Sequence, residues 1–160
     1  MDLFETTGDL MHSVADVIAH QTNCKGAFAS GVAKSVRMRF PIVAQQYEEV
    51  CRDNIVKGYD SSHLLGRVQY VPVGNGQIVA NLFAQNNYGG DGGRYTSYDA
   101  MMECLEGLRN YCVKNNKKSV AFPCRIGSFR GGANWNVIKT MITEVFKDTD
   151  IRVEIWEYKE

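Results

Sequence analysis

The chain has 160 residues and a mass of 18.0 kDa, enough for one domain whose core needs neither a metal nor disulfides. Hydrophobic residues make up 44% and charged residues 22%, a balance typical of soluble globular proteins. The 18 basic and 18 acidic residues cancel to a net charge of zero, which argues against bulk capture of DNA or RNA but allows a local basic patch.

The sequence predicts a cytoplasmic protein without a membrane span. No apolar run approaches the length of a transmembrane helix, and residues 1–5 lack the basic start of a signal peptide. The cysteines are odd in number and widely spaced, at positions 24, 51, 104, 112 and 124. We therefore expect free thiols, none of them a nucleophile. The three histidines make no zinc spacing with these cysteines and form no cluster with carboxylates, so we expect no metal. We also expect no cofactor.

The first third of the chain changes from a strand pattern to a helical one. Residues 16–20 are apolar and β-branched, which predicts a strand, and residues 24–30 form a loop of small side chains. Apolar residues at four-residue steps predict a helix from Gly31 that Pro41 interrupts. A second amphipathic helix follows the proline.

The middle of the chain predicts a hairpin, a loop and a helix. Two strands, over residues 67–73 and 77–84, flank the Gly-Asn-Gly turn signal at 74–76. Residues 86–94 hold four glycines and must be a loop. Residues 96–99 resemble a capping box at the start of a helix.

The last third repeats the strand-loop-helix pattern. Residues 119–123 predict a strand, residues 127–134 a second glycine-rich loop, and Asn134 the cap of a helix. Residues 151–156 alternate in hydrophobicity and predict a final strand. Strands that alternate with helices indicate an α/β layered fold with a mixed sheet.

Two loops, at residues 24–31 and 127–134, each follow a strand and open a helix. Their small residues let a ligand approach the backbone, and helix N-termini present free N–H groups to anions. Together the loops suit a diphosphate, although glycines can also serve only to make tight turns. Neither loop matches the Walker pattern or GxGxxG, so the sequence gives little support for ATP hydrolysis or dinucleotide binding.

Short motifs along nearly the whole chain resemble, in order, those of the macro domain family. They are Gly8-Asp9-Leu10, residues 15–26 with Asn23, Ser30-Gly31-Val32-Ala33, residues 64–68, residues 81–85, and residues 123–135. The strongest resemblance is to the branch of the ADP-ribose 1″-phosphate phosphatases, and the terminal ADP-ribose protein glycohydrolase is also similar. The resemblance implies one domain over residues 1–160, a three-layer α/β/α fold with a central mixed sheet, and a cleft for ADP-ribose.

The resemblance also implies a role for individual residues. Asp9 would accept a hydrogen bond from the adenine amine, with Leu10 supporting the base through its backbone, although Asp9 can equally be a cap or turn residue. Asn23 would face the distal ribose, since its amide can donate to and accept from hydroxyls. A turn residue at the strand end is the alternative for Asn23.

Both loops contribute further expected ligand contacts. They are Gln21, Ser30, Gly31 and Val32 on the first side, and Ile126, Gly127, Ser128, Phe129, Arg130 and Gly131 on the second. Phe129 or Arg130 would cover the ligand, and Arg130 would either add charge to the phosphates or remain solvated.

His20 and Asn23 are the predicted catalytic residues. The phosphatase-like relatives carry a histidine at the position of His20, three residues before the asparagine. A histidine there could protonate the leaving oxygen of a phosphate monoester or attack phosphorus. The alternative is a strand-end histidine that only bonds to the backbone.

The chain departs from the glycohydrolase-like members at several positions. Gln85 stands where they have a lysine, and an amide cannot form the covalent adduct of that chemistry. Gly131 falls near their aspartate, Phe129 replaces a glycine of close relatives, and Asn134 replaces an aspartate.

The predicted function is therefore binding of ADP-ribose or ADP-ribose 1″-phosphate, with removal of the terminal phosphate. The alternatives are a non-catalytic ADP-ribose-binding module, an ADP-ribosyl hydrolase with other catalytic residues, and an α/β domain for another nucleotide. Neither a membrane nor bulk nucleic acid is an expected partner.

Overall fold

A computed structural model describes residues 1–159 and places a six-stranded sheet at the centre of the molecule. The strands are β1 (Asp2–Thr7), β2 (Val17–Thr22), β3 (Val68–Pro72), β4 (Ile78–Phe83), β5 (Ser119–Pro123) and β6 (Arg152–Glu157). Their order in the sheet is β1-β6-β5-β2-β4-β3.

The sheet is mixed, but five of its strands run in the same direction. Only the hairpin of β3 and β4 pairs antiparallel, around the predicted turn at 74–76, and all other neighbours are parallel. The carboxyl ends of β1, β6, β5, β2 and β4 therefore meet at one edge, where ligands of open α/β sheets bind.

Helices cover both faces of this sheet. They are α1 (Gly31–Arg39), α2 (Pro41–Val56), α3 (Tyr98–Lys114) and α4 (Trp135–Phe146), with short 3-10 turns at Leu10–His12 and Ser61–Leu64. The apolar faces of α3 and α4 pack on one side of the sheet, and those of α1 and α2 pack on the other. The predicted three-layer α/β/α fold is confirmed.

Several predicted element boundaries are confirmed by the hydrogen bonds that fix them. The Ser97 hydroxyl accepts from the N–H of Ala100 at the start of α3, and the Asn134 amide oxygen accepts from the N–H of Asn136 at the start of α4. Pro41 ends one helix and occupies the first turn of the next, where its missing N–H costs nothing.

Two features of the strands differ from the sequence prediction. Strand β1 was not predicted, because all six of its residues are exposed and no buried alternation marks it. Strand β2 begins at Val17 and continues to Thr22, so that His20 lies inside the strand and not at its end. The backbone pairing of His20 with Asn81 of β4 explains this extension.

All five cysteines are free, and four of them are buried. Across residues 1–159, no helix combines the length and apolar character that crossing a membrane requires.

Candidate functional site

A cleft of about 1000 Å³ opens at the carboxyl edge of the sheet, between the loops that follow the parallel strands. Of the fourteen predicted site residues, all except Ser128 line this cleft. They are Asp9, Leu10, His20, Gln21, Asn23, Ser30, Gly31, Val32, Ile126, Gly127, Phe129, Arg130 and Gly131.

The loop after β2 is held by the side chain of Asn23. Its amide oxygen accepts from the N–H groups of Lys25 and Ala27 and from the hydroxyl of Tyr47, and its amide nitrogen donates to the carbonyl of Ala27. Only one amide hydrogen of Asn23 is left for a ligand. The contact predicted between Asn23 and the distal ribose therefore depends on that one hydrogen. The other hydrogen bonds of the Asn23 side chain hold the loop in shape.

The start of α1 offers unpaired donors to the cleft. Ser30 occupies the N-cap position with extended backbone, and its hydroxyl makes no capping hydrogen bond. Within residues 1–159, the N–H groups of Gly31, Val32 and Ala33 donate to no acceptor. Such a helix start carries partial positive charge and binds anions.

The loop after β5 folds tightly over the side chains of Gln21 and Thr96. The Thr96 hydroxyl donates to the carbonyl of Gly127 at 2.7 Å, and the N–H of Thr96 donates to the carbonyl of Gly131 at 3.0 Å. A Cβ on Gly127 would lie 2.8 Å from the amide oxygen of Gln21, and one on Gly131 would overlap the Thr96 hydroxyl. These two positions therefore require glycine.

Gln85 is engaged in the same network at the end of β4. Its amide oxygen accepts from Gln21 at 2.6 Å, and its amide nitrogen donates to the carbonyl of Asn87 at 2.7 Å. Gln21 also donates to the Thr96 hydroxyl, while its own buried oxygen has no partner among the described residues. Gln21 therefore supports the second loop through its hydrogen bond to Thr96, and it also lines the cleft.

His20 is 1% exposed and lies on the floor of the cleft. Its Nε2 is 2.6 Å from Oδ1 of Asn81, and its ring packs edge-on against Phe28 with centroids 5.4 Å apart. Burial lowers the pKa of His20 to about 4, against the opposing effect of the Asn81 hydrogen bond. The imidazole is therefore neutral at pH 7.

Asp9, which also lines the cleft, has a structural task. One carboxylate oxygen caps the 3-10 turn by accepting from the N–H of Met11 at 2.9 Å. The cap interpretation of Asp9 is thus correct, and its second oxygen remains for the predicted adenine contact.

The rim of the cleft carries exposed aromatic rings and an arginine. Phe129 is 86% exposed, Tyr88 and Tyr158 are also exposed, and Arg130 makes no ion pair within the described part of the chain.

Burial raises the pKa of the Cys24 thiol, in the first loop, to about 12. This neutral thiol agrees with the prediction that Cys24 is not a nucleophile.

Ser128 lies outside the main cleft and lines an adjoining cavity of about 490 Å³. Arg125 and Phe129 line both cavities. The cleft residues that were missed include Arg125, Tyr88–Gly90, and Glu157 and Tyr158 at the end of β6. Each lies at or soon after the end of a strand that reaches the same edge, so topology would have identified them once the strand order was known.

The described residues hold no group of three or more His, Cys, Asp or Glu side chains that could bind a metal ion.

No family model matches the chain. Human ADP-ribose glycohydrolase OARD1 is 32% identical over 60 residues, which are 38% of this chain and only 39% of the relative's length. The macrodomain of Mycobacterium tuberculosis DarG superposes with a TM-score of 0.82 at 20% identity, over 96% of both chains. This chain has the macrodomain fold.

The macrodomain fold implied by the sequence motifs is thereby confirmed, but the resemblance to the phosphatase branch stays a prediction. Thermosipho africanus DarTG, solved in complex with ADP-ribose, matches the fold of this chain with a TM-score of 0.75 at 17% identity. The match covers 94% of this chain and 40% of that protein.

Proposed function

We propose that this macrodomain binds ADP-ribose in the cleft at the carboxyl edge of its sheet. The observation that carries the proposal is the uncapped start of α1, whose N–H groups at Gly31, Val32 and Ala33 lack protein acceptors. A diphosphate between this helix start and the second loop would supply those acceptors.

The rest of the cleft agrees with this ligand. The free carboxylate oxygen of Asp9 suits an adenine amine, because a carboxylate only accepts and the amine only donates. The matched proteins add support, since one is named an ADP-ribose glycohydrolase and another was solved with ADP-ribose.

Titration calorimetry with ADP-ribose tests the proposal most directly when combined with a proline substitution. Val32→Pro removes one N–H from the first turn of α1, where proline is tolerated. We expect an affinity about 10-fold to 100-fold lower than in the protein with valine, the value of one hydrogen bond to a charged group. Val32→Ala, which keeps the N–H, is the matched control. Equal affinities for the proline and alanine variants would contradict the contact, and no heat with wild-type protein would contradict ADP-ribose binding itself.

A second candidate function is hydrolysis of the terminal phosphate of ADP-ribose 1″-phosphate. The observation that favours it is the buried, unpaired Nδ1 of His20, a residue that lines the cleft. Because the pKa of His20 is about 4, the ring serves as a base and not as the general acid first considered. Nδ1 would take a proton from water as the water oxygen bonds to phosphorus. The bond from phosphorus to the ribose oxygen breaks and that oxygen gains a proton from solvent, while His20 returns its proton to solvent when phosphate leaves.

Phosphate release from ADP-ribose 1″-phosphate tests this second candidate. We expect His20→Ala to lower the turnover by about 100-fold or more, the contribution of a positioned base, while ADP-ribose still binds. An unchanged rate would remove His20 from the mechanism. Absence of phosphate release by the wild-type protein, with ADP-ribose binding intact, would leave the binding module as the function.

A further inference from the structure

A row of three polar residues crosses the sheet on its α1–α2 face, where most of the other buried side chains are apolar. His20 of β2 is paired in register with Asn81 of β4, which is paired in turn with Gln69 of β3. His20 and Asn81 are 1% and 0% exposed, whereas Gln69 is half-buried on the edge strand. Buried polar side chains are costly unless they are hydrogen-bonded, so the bonding within this row must be accounted for.

The hydrogen bonds in the row run in one direction. The Asn81 amide nitrogen donates to Oε1 of Gln69 at 2.9 Å, which turns Oδ1 of Asn81 toward His20. That oxygen is 2.6 Å from Nε2 of His20 and can only accept, so Nε2 carries the proton. The other ring nitrogen, Nδ1, is then left with a lone pair.

The burial of Nδ1 favours the same assignment. Nδ1 is buried and has no partner among the residues that the structure describes. The reverse arrangement of the row would place a proton on Nδ1 and leave a buried N–H unpaired. Orphaned buried N–H groups are rarer in proteins than acceptors with a free lone pair.

We infer that Gln69, acting through Asn81, is a positioning residue that fixes His20 in the Nε2–H tautomer, so that Nδ1 accepts a hydrogen bond from a hydroxyl group of the bound nucleotide. The inference rests on the proposed function, because it takes ADP-ribose as the ligand. The low pKa of His20 agrees with it, since the ring gains no second proton at pH 7.

The chemistry of Nδ1 determines which part of a nucleotide it can contact. A lone pair attracts an O–H group and repels phosphate oxygens, which are themselves acceptors. His20 therefore recognises a sugar hydroxyl, while the unpaired N–H groups at the start of α1 take the phosphates. The cleft thus has donors at the start of α1 and an acceptor at His20. A ligand needs a diphosphate for the donors and a ribose hydroxyl for the acceptor.

Nitrogen-15 NMR of the His20 ring tests the tautomer directly. In the free protein at pH 7, we expect a protonated Nε2 and an unprotonated Nδ1. Adding ADP-ribose should shift the Nδ1 resonance upfield, as for an acceptor that gains a hydrogen bond, whereas pyrophosphate should leave it unchanged. A proton on Nδ1 in the free protein, or an equal response to pyrophosphate, would overturn the inference.

Two substitutions at Gln69 test its control over a ring that it does not touch. Gln69→Glu keeps an acceptor for Asn81 and should preserve the Nε2–H tautomer. Gln69→Leu removes that acceptor, so that the Asn81 amide can turn over and both tautomers become populated. With equal populations, the affinity for ADP-ribose should fall about twofold. If His20 in the Gln69→Leu variant still has only the Nε2–H tautomer, Gln69 does not position the ring.

The same experiments separate the inference from the proposed function. If the wild-type protein fails to bind ADP-ribose, the proposed ligand is wrong and the hydroxyl contact falls with it, while the tautomer assignment is judged on the free protein. If ADP-ribose binds without perturbing Nδ1, the proposed function stands and the hydroxyl contact is wrong.

Discussion

At the scale of the residue, His20 illustrates how neighbours decide what a side chain can do. The sequence placed it at a strand end as an acid or nucleophile. The structure places it inside β2, against Asn81 and Phe28, where burial keeps the ring neutral. In a neutral ring of fixed orientation, Nδ1 can accept a proton or a hydrogen bond. It carries no proton at pH 7 and so cannot act as an acid.

The buried ring predicts a specific acid sensitivity of the fold. The pKa of His20 is about 4 in the folded protein and near 6.5 when unfolded, so the unfolded chain binds more protons between these values. The His20 contribution to stability is therefore complete above pH 6.5 and lost as the pH falls toward 4. We expect a loss of about 3 kcal/mol in the free energy of unfolding over this range.

Urea unfolding between pH 4 and pH 7 measures this loss. His20→Gln, which keeps a donor for Asn81 but does not titrate, serves as the control because the carboxylates of both proteins titrate alike. Parallel pH profiles for the two proteins would show that His20 is not the source.

The residues at the site could largely be predicted, but their partners could not. Glycine-rich loops after strands and the ordered family motifs identified thirteen residues that line the cleft. The link between His20, Asn81 and Gln69 depends on the register of three strands that are distant in the chain. A single sequence carries no signal for that register, and the same holds for Gln21 beneath Gly127.

At the scale of the element, the second loop depends on having no side chain at Gly131. We expect Gly131→Ala to destabilise the fold by about 1–3 kcal/mol and to weaken ADP-ribose binding, because the new Cβ overlaps the Thr96 hydroxyl. Thermal unfolding and calorimetry measure the two effects.

Gly107→Ala in α3 is the matched control for Gly131→Ala. A Cβ there would only meet Val68 at 4.0 Å, and alanine favours a helix interior by about 1 kcal/mol over glycine. We expect a more stable protein with unchanged ligand affinity. Similar losses in both glycine variants would contradict the steric argument.

The elements with buried faces were predicted well, and the exposed one was missed. Strand β5, with four of its five residues buried, has the apolar character that predicts a strand. Strand β1 joins the sheet through backbone pairing with β6, and all of its side chains are exposed, including Phe4 under the guanidinium of Arg152. Backbone hydrogen bonds leave no trace in composition, so an exposed edge strand escapes a prediction based on hydrophobicity.

At the scale of the whole molecule, the zero net charge of the protein is compatible with a small anionic ligand but unfavourable for binding a polyanion such as DNA. Binding of nucleic acid needs many phosphate contacts, whereas one diphosphate needs a few aimed N–H groups. We expect no binding of a 20-base-pair DNA duplex tighter than about 10⁻⁴ M at physiological salt, the weak end of non-specific binding. Fluorescence anisotropy with a labelled duplex measures this, and tight, salt-sensitive binding would contradict the prediction.

The uncapped start of α1 has a consequence for how the empty protein behaves. This helix buries only Val36, whereas α2, α3 and α4 each bury at least four residues. The segment proposed to donate its N–H groups to a diphosphate is thus the helix least anchored by packing. Local opening of α1 and occupancy of the cleft are therefore expected to be thermodynamically linked. A bound ligand would act as the missing cap of α1. The amide hydrogen exchange of α1 should therefore slow as ADP-ribose saturates the cleft, while the exchange rate of α3 should stay unchanged.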